Sequence, residues 1–234
     1  MTAWARAFSL HTGLKKLKMV QNGIRQEGIS YLLMHGLRHA TGLQILDLQD
    51  NTFTLTGARA LATVTPGWTE LEELGIGDSL LSAKGGILVV DALAKGQNKK
   101  LKTLRLQYND ITTKGLKGLA EAVRGSLPAL KKIELNGNKF AESDVSLAIL
   151  REVLEERKER FAGDLVMEDD WGLDSLSDLE DESEAEDEEE EVAEEEELRE
   201  KLLEEAEEAQ EEPVAQMEDK GVDELANELK GATI

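Results

Sequence analysis

The residues that could do chemistry are few in this sequence, and they do not form a catalytic set. His35 and His39 are four residues apart, a spacing that places two side chains on one face of a helix, where they could bind a metal ion. No further histidine or acidic ligand is evident beside them, so they are interpreted as surface histidines. Gly75-x-Gly77 resembles the start of a phosphate-binding loop but lacks the third glycine. The sequence therefore predicts neither a metal site nor a cofactor.

Composition argues against other kinds of catalysis. The chain has no cysteine, which excludes disulfides, Cys-ligated zinc and thiol chemistry and fits a reducing compartment. Its carboxylates crowd into a low-complexity C-terminal segment that could not hold them in the fixed geometry that acid–base catalysis needs. The longest aliphatic run, residues 87–90, is far shorter than the roughly 20 residues that span a bilayer. The sequence favours a soluble intracellular binding protein over an enzyme.

A pattern repeated five times must position any binding residues. Each copy approximates L-x-x-L-x-L-x-x-N-x-L, and the copies begin at residues 14, 43, 71, 101 and 130, in steps of 28–30 residues. This is the leucine-rich repeat. The residues at positions 4 and 6 share one face of a short strand. The asparagine at position 9 turns the chain, and its amide can satisfy backbone groups along the stack. Ser79 replaces that asparagine in the third copy, which predicts weaker hydrogen bonding along the stack at that repeat.

In each copy the strand is followed by a segment that is predicted to be helical. In the fourth copy, apolar residues have the i, i+3, i+4, i+7 spacing of a buried helix face: Leu116, Leu119, Ala120 and Val123. A strand and a helix cannot bury their apolar faces alone, but stacked copies can. We therefore predict an α/β leucine-rich-repeat solenoid of the ribonuclease-inhibitor-like type. Its parallel strands should line a concave side and its helices a convex side, with residues 143–161 as the last helix. Such a fold commonly binds a protein on its strands and adjoining loops.

Charge divides the chain into two regions. Residues 163–234 hold 32 Asp/Glu and 4 Lys/Arg, a net charge of −28, whereas residues 1–162 carry +6. The prediction is a leucine-rich-repeat domain at 1–162 and an acidic, largely disordered tail at 163–234. The tail is interpreted either as a solubilising segment or as an electrostatic attractor for basic partners. Within it, Ser175, Ser177 and Ser183 each precede an acidic residue by three positions, a weak motif for acidophilic kinases.

The N-terminal residues predict a partial repeat. Trp4, Ala7 and Phe8 have helical spacing just before the first full copy, so they are interpreted as the end of a preceding repeat whose strand is missing. The strand around Leu17 would then present a bare sheet edge. The expectation from this pattern is an N-terminally truncated repeat domain.

Four segments resemble the Ran GTPase-activating proteins, the fungal members most of all. They are KMVQNGI (18–24), LDLQDNTFT (46–54), LRLQYNDI (104–111) and ELNGNKF (134–140), and the acidic tail and terminal ELANELKGATI are similar too. The resemblance implies a cytoplasmic regulator that binds Ran in its GTP form and stimulates Ran's own hydrolysis in nucleocytoplasmic transport. It implies no cofactor, no nucleic acid and no membrane, and Ran-binding proteins as further partners.

The same resemblance bears on the site residues. The family orders Ran's catalytic glutamine partly through an asparagine in an N-N-G-L-G-type loop, and it inserts no arginine finger. This sequence contains no such loop, so no catalytic residue is assigned and the chain is expected to lack the activating asparagine. The Ran-binding positions that the resemblance implies lie on the strands and loops of the first repeats: Lys18, Gln21, Asp47, Asp50 and Asp78.

Two other classes join leucine-rich repeats to a binding role. Acidic leucine-rich nuclear phosphoproteins, which act as chaperones or bind chromatin and histones, also carry an acidic tail. Their repeats lie nearer the short end of the roughly 20–29-residue range, whereas this chain steps by 28–30 residues. An adaptor of the ribonuclease-inhibitor type is the remaining alternative.

Overall fold

The computed structural model describes residues 1–161 and 171–180. Among these residues, six short parallel strands form one sheet in chain order. They are β1 (Lys16–Lys18), β2 (Ile45–Asp47), β3 (Glu73–Gly75), β4 (Thr103–Arg105), β5 (Lys132–Glu134) and β6 (Gly172–Leu173). The five repeats of the sequence account for β1 to β5, and the predicted strand–helix solenoid is confirmed.

A helix follows each of the first five strands, and one precedes β1. The helices are α1 (Thr2–Leu10), α2 (Gln26–His35), α3 (Thr54–Val64), α4 (Ser82–Ala94), α5 (Thr113–Gly125) and α6 (Val145–Phe161). Each packs against its neighbours in chain order, because the near-constant repeat length returns the chain to the same place every turn. None of the described helices is both long and apolar enough to pass through a bilayer.

The register of the sheet is set by the fourth position of each repeat. Leu17 pairs with Leu46, Leu46 with Leu74, Leu74 with Leu104, and Leu104 with Ile133. From Leu46 onward these side chains are fully buried, and Leu17 at the end of the stack is partly buried. Since neighbouring residues of a strand point to opposite faces, positions 3 and 5 are left on the face away from the core.

Buried asparagines join one repeat to the next. The Nδ2 of Asn109 donates to the carbonyls of Ile76, Leu106 and Gln107 at 2.8–3.2 Å, and its Oδ1 accepts the N–H groups of Ser79 and Leu81 at 3.1 and 3.3 Å. Asn51 and Asn138 do the same for the first and last boundaries between repeats. The predicted role of position 9 is confirmed: its amide serves backbone groups that the turns leave without partners.

Ser79 changes this arrangement between the second and third repeats. Its hydroxyl donates to the carbonyl of Gly77 in its own repeat, at 3.1 Å. The bond across to the second repeat is made instead by the main-chain carbonyl of Ser79, which accepts the N–H of Phe53 at 2.9 Å. A serine side chain is one group shorter than an asparagine and has no second polar atom, so it cannot bridge two turns at once.

The sheet continues past residue 162, where the sequence predicted that the repeat domain ends. Residues 171–180, which we name the strap, add β6 to the edge of β5. Leu173, Leu176 and Leu179 of the strap are partly buried against the core. Averaging over the 72 residues of the predicted acidic tail hid this apolar spacing, so the predicted tail assignment is wrong for the strap. Residues 162–170 and 181–234 of that tail, with Ser183, lie outside the described residues.

Helix α1 confirms the helix predicted near the N-terminus, but the residues on its buried face are not all those whose spacing predicted it. Ala5 and Phe8 are buried, whereas Trp4 is 55% exposed and stacks on the Phe8 ring with centroids 5.7 Å apart. Helix α1 packs against α2. It therefore occupies the place that a helix of a preceding repeat would take.

Candidate protein-binding face

The loops that leave the strands form a ridge of left-handed residues. The eighth residue of each repeat has a positive φ, between 50° and 68°. The ridge consists of Gln21, Asp50, Asp78, Tyr108 and Gly137. Except at Gly137, each ridge N–H donates to the position-7 carbonyl of the next repeat at 2.8–3.0 Å. Since non-glycine residues pay a conformational penalty in this region, the stacked bonds must hold the ridge in place, and its side chains follow one line along the molecule.

Charged side chains on the strand face neutralise each other in pairs. Lys18 Nζ lies 3.7 Å from a carboxylate oxygen of Asp47. Arg105 lies between two glutamates, with Glu73 at 3.8 Å and Glu134 at 3.4 Å, and Lys132 reaches Glu134 at 3.4 Å. A face of alternating charge suits a polar protein partner better than a polyanion such as nucleic acid, which needs a basic stripe.

Two glycines in the third repeat let side chains of the second and fourth repeats meet. Gln107 Nε2 donates to Gln49 Oε1 at 2.7 Å, and Gln49 Nε2 donates to Asp47 Oδ1 at 2.9 Å. A Cβ on Gly77 would lie 2.4 Å from the amide carbon of Gln107, and one on Gly75 would lie 2.8 Å from Asp47 Oδ1. The glycines at 75 and 77 therefore serve this hydrogen-bonded bridge, and no phosphate is needed to explain them.

The strap holds the far end of the ridge through two carboxylates. Asp174 accepts the N–H groups of Leu135 and Asn136 at 2.8 and 3.0 Å. Asp178 accepts from the Tyr108 hydroxyl at 2.8 Å and from Asn136 Nδ2 at 3.0 Å. The Tyr108 ring lies against Gly137, where a Cβ would be 2.0 Å from the ring atom Cδ1. Tyr108 is thus fixed by Gly137 beneath it and by Asp178 at its tip.

These contacts shift the acidities of the groups involved. Burial raises the pKa of Asp174, against the lowering effect of its two backbone N–H bonds. The bond to Asp178 raises the pKa of Tyr108, while the bond from Tyr108 lowers that of Asp178. Each partner of the Tyr108–Asp178 bond therefore keeps the protonation state that the bond requires.

A titration tests the Tyr108–Asp178 bond. In a Tyr31→Phe background, which leaves Tyr108 as the one tyrosine in the sequence, phenolate absorbance should show a pKa above the ordinary value of about 10. Asp178→Asn should lower that pKa, and Asp91→Asn, an exposed carboxylate on α4, should leave it unchanged. Because the folded-state pKa is raised, this bond stabilises the fold below about pH 10 and the contribution is lost as pH rises through the folded value. Identical pKa values in all three proteins would contradict the bond.

The five predicted partner-binding residues separate into two groups. Gln21, Asp50 and Asp78 lie on the ridge. Gln21 and Asp78 are exposed, and Asp50 is half-buried. Lys18 and Asp47 lie on the strand face, where they pair with each other. Asp47 is only 6% exposed, so its carboxylate is available to its neighbours more than to a partner.

Sequence reasoning missed the residues of the strap. Asp174 and Asp178 stood among many acidic residues, and no repeat pattern singled them out. The leucines at 173, 176 and 179 are the signal that could have found the segment, because evenly spaced apolar residues mark a chain that can pack against a core.

No group of three or more potential metal ligands is present within residues 1–161 and 171–180. His35 and His39 are both exposed, and His35 lies against the Tyr31 ring with centroids 4.4 Å apart. A pocket of about 490 Å³ opens beside Lys131, Arg157 and Trp171. Among its lining residues there is no carboxylate, histidine or hydroxyl that could act as a base or nucleophile.

Comparison with known proteins agrees with the repeat fold. A family model described as "Leucine Rich repeat" matches residues 39–62 and 97–120. Ran GTPase-activating protein 1 of Saccharomyces cerevisiae is 37% identical over 142 residues, which cover 59% of this chain and 35% of that protein. The Tonsoku-like protein of Bos taurus is 31% identical over 182 residues, which cover 63% of this chain and 13% of that protein.

The chain therefore spans about a third of the yeast relative and a smaller part of the bovine one. The six aligned strands, the asparagine bonds between repeats and the matches to the family model agree with one another. The chain has a leucine-rich-repeat fold, and its sequence is similar to that of a Ran GTPase-activating protein.

Proposed function

We propose that this chain binds the small GTPase Ran in its GTP form and takes part in stimulating Ran's GTP hydrolysis. The observation that carries the proposal is the 37% identity to a Ran GTPase-activating protein over 142 residues. A stretch of that length is longer than residues 163–234, so it must include part of the repeat domain. We propose the same setting for the chain as the resemblance implies, the cytoplasmic side of nucleocytoplasmic transport.

The geometry supports a regulator that acts on the GTPase's own active site. The face carries paired charges, a glutamine bridge and a line of loop residues, which are means of recognition. A GTPase activator adds no nucleophile of its own, because the GTPase already holds the nucleotide and the attacking water. Its effect comes from interactions that form in the transition state. The chain is therefore proposed to be a binding and positioning protein that itself carries no hydrolytic chemistry.

Binding to Ran is the direct test. Isothermal titration of this chain with Ran loaded with a non-hydrolysable GTP analogue should show a 1:1 complex, and Ran loaded with GDP should bind at least tenfold more weakly, a difference of about 1.4 kcal/mol. Equal affinity for both nucleotide states, or no binding to either, would overturn the proposal.

Asp50 and Asp78 are the ridge carboxylates best placed to contact a basic partner surface. Neither makes an ion pair within the part of the chain that the structure describes. Reversing both to lysine should weaken binding to GTP-loaded Ran by roughly 100-fold, since opposed like charges at an interface cost several kcal/mol. The main loss should be in the association rate, and it should shrink at high salt.

Asp91→Lys is the matched control, because Asp91 is an exposed carboxylate on helix α4, away from the ridge. It changes the net charge by the same amount as each ridge substitution. If the Asp91 variant lost as much affinity per charge as the ridge variant, the ridge would not be the contact surface.

A further inference from the structure

The pocket beside Lys131 lies at the opposite end of the strands from the ridge. Lys102 and Lys131 directly precede β4 and β5, whereas the ridge residues follow those strands. Arg157 of α6 and Trp171, the residue before β6, form another part of the wall, and the rest of the described lining is apolar: Pro128, Ala129 and Leu130. Its volume of about 490 Å³ falls within the roughly 300–1,000 Å³ of ligand sites. The pocket is therefore large enough to hold part of a partner molecule.

Arg157 is fixed in the wall of the pocket by three main-chain carbonyls. Its Nη1 donates to the carbonyls of Leu127 and Leu130 at 2.9 and 2.7 Å, and its Nη2 donates to that of Val123 at 2.5 Å. A guanidinium has five N–H groups, and Nε–H makes no hydrogen bond within residues 1–161 and 171–180. Arginine characteristically holds an oxyanion through two parallel bonds. Arg157 is thus a fixed cation with N–H groups left for one more acceptor.

The positive charge of the pocket is only partly neutralised. Lys102 Nζ lies 2.6 Å from a carboxylate oxygen of Glu72. Lys131 Nζ instead lies over the Trp171 ring, 5.6 Å from its centroid. Neither Lys131 nor Arg157 makes an ion pair with any residue that the structure describes. An anion in the pocket would therefore meet two cations that still lack a counter-ion.

The described lining offers donors and apolar surface but no side-chain acceptor. It contains no carboxylate, amide, hydroxyl or imidazole. A sugar or a nucleoside would bring hydroxyl and amino donors that find no side-chain partner there. A carboxylate brings acceptors only, and an apolar group attached beside it would cover Trp171, Pro128 and Leu130. The lining thus matches a carboxylate that stands next to an apolar group.

We propose that this pocket binds an acidic peptide segment of a partner protein. A glutamate or aspartate carboxylate binds to Arg157 and Lys131, and an adjacent aromatic or aliphatic side chain packs on Trp171. A peptide fits better than a small carboxylate because the cations continue beyond the pocket. Lys99 and Lys102 are exposed in the loop that leads into β4, where further carboxylates of an extended chain reach them.

The experiment is a titration of the full chain, labelled with ¹⁵N, followed by nuclear magnetic resonance. The probe is an acetylated and amidated peptide of sequence GEELFEEG. The indole N–H signals of the three tryptophans and the Arg157 Nε–H signal are recorded. We expect saturable shifts at Trp171 and Arg157, while Trp68 in the core and Trp4 on α1 stay unchanged. The peptides GQQLFQQG and GEEGGEEG, which lack the charge or the apolar pair, should each bind at least about tenfold more weakly.

Lys131→Gln is the test variant, because Arg157 also holds carbonyls of the fold whereas the Lys131 side chain makes no hydrogen bond with the described residues. It should weaken binding of GEELFEEG by roughly fivefold or more. Lys117→Gln, an exposed lysine on α5 that does not line the pocket, changes the charge equally and should leave the affinity unchanged.

Four results would each overturn the proposal. Without a saturable shift at Trp171 and Arg157 there is no site in this pocket. Equal binding of GEEGGEEG would show attraction by charge alone. An equal loss in the Lys117 variant would place the contact elsewhere. Phenylacetate that binds as tightly as the peptide would make the occupant a free small molecule. None of these readouts depends on whether the chain binds Ran.

Discussion

Replacing Asn109 by alanine should lower the free energy of unfolding by about 3–5 kcal/mol, at the upper end of single-residue effects. The side chain makes three donor bonds and accepts two, and the residue is 1% exposed. Alanine would leave buried N–H groups of the third repeat without an acceptor, each at a cost of about 1–3 kcal/mol. Urea denaturation followed by circular dichroism measures the change.

Asn22→Ala is the matched control, since Asn22 holds the same position in the first repeat. Its side chain is exposed and its Nδ2 donates to the carbonyl of Val20 at 2.7 Å. Loss of that bond at an exposed site should cost about 0.5 kcal/mol or less. Similar costs for the two substitutions would show that the bonds between repeats do not stabilise the fold as argued.

In single-turnover hydrolysis, this chain in excess should accelerate GTP cleavage by Ran less than about tenfold, against the roughly 10⁵-fold that activators give Ras-type GTPases. Binding energy is spread over many ridge and strand residues. Acceleration instead depends on a group placed against the GTPase's glutamine in the transition state. The resemblance assigns that role to an asparagine in an N-N-G-L-G-type loop, which this sequence does not contain.

The yeast relative, assayed in parallel, is the positive control. Near-full acceleration by this chain would defeat the prediction and would direct attention to Gln21 and Asn22 in the first ridge loop. Both are exposed, and Gln21 is held in a left-handed conformation. Gln21→Ala and Asn22→Ala would then show which of the two supplies the positioning group.

The repeat pattern predicted the positions of strands, ridge loops and buried amides because each depends on spacing alone. Once the repeats stack in register, Leu46, Leu74 and Leu104 must align, and so must the asparagines. The ridge position of Gln21, Asp50 and Asp78 followed from the same argument. Spacing was sufficient there because one local conformation is used in every repeat.

Contacts between unlike residues of different repeats could not be predicted in this way. The Gln49–Gln107 bridge joins two glutamines that are 58 residues apart in the sequence. It also needs the glycines at 75 and 77, because a Cβ at either position would collide with the side chains of the bridge. Burial of Asp47 depends on Lys18 and Gln49 around it. The strap was not predicted because it follows no repeat pattern, and because the acidic composition around its leucines hid their spacing. Such features depend on side-chain shape at one place in the stack.

The serine at position 79 has a consequence for cooperativity. A solenoid behaves as a row of units, each coupled only to its neighbours, so its unfolding is governed by the weakest coupling in the row. An asparagine side chain crosses the boundaries between the first and second, the third and fourth, and the fourth and fifth repeats, whereas Ser79 bonds within its own repeat. The row is thus divided into a block of two repeats and a block of three. We expect that, at intermediate denaturant, the bonds across the boundary between these two blocks open before either block loses its own structure.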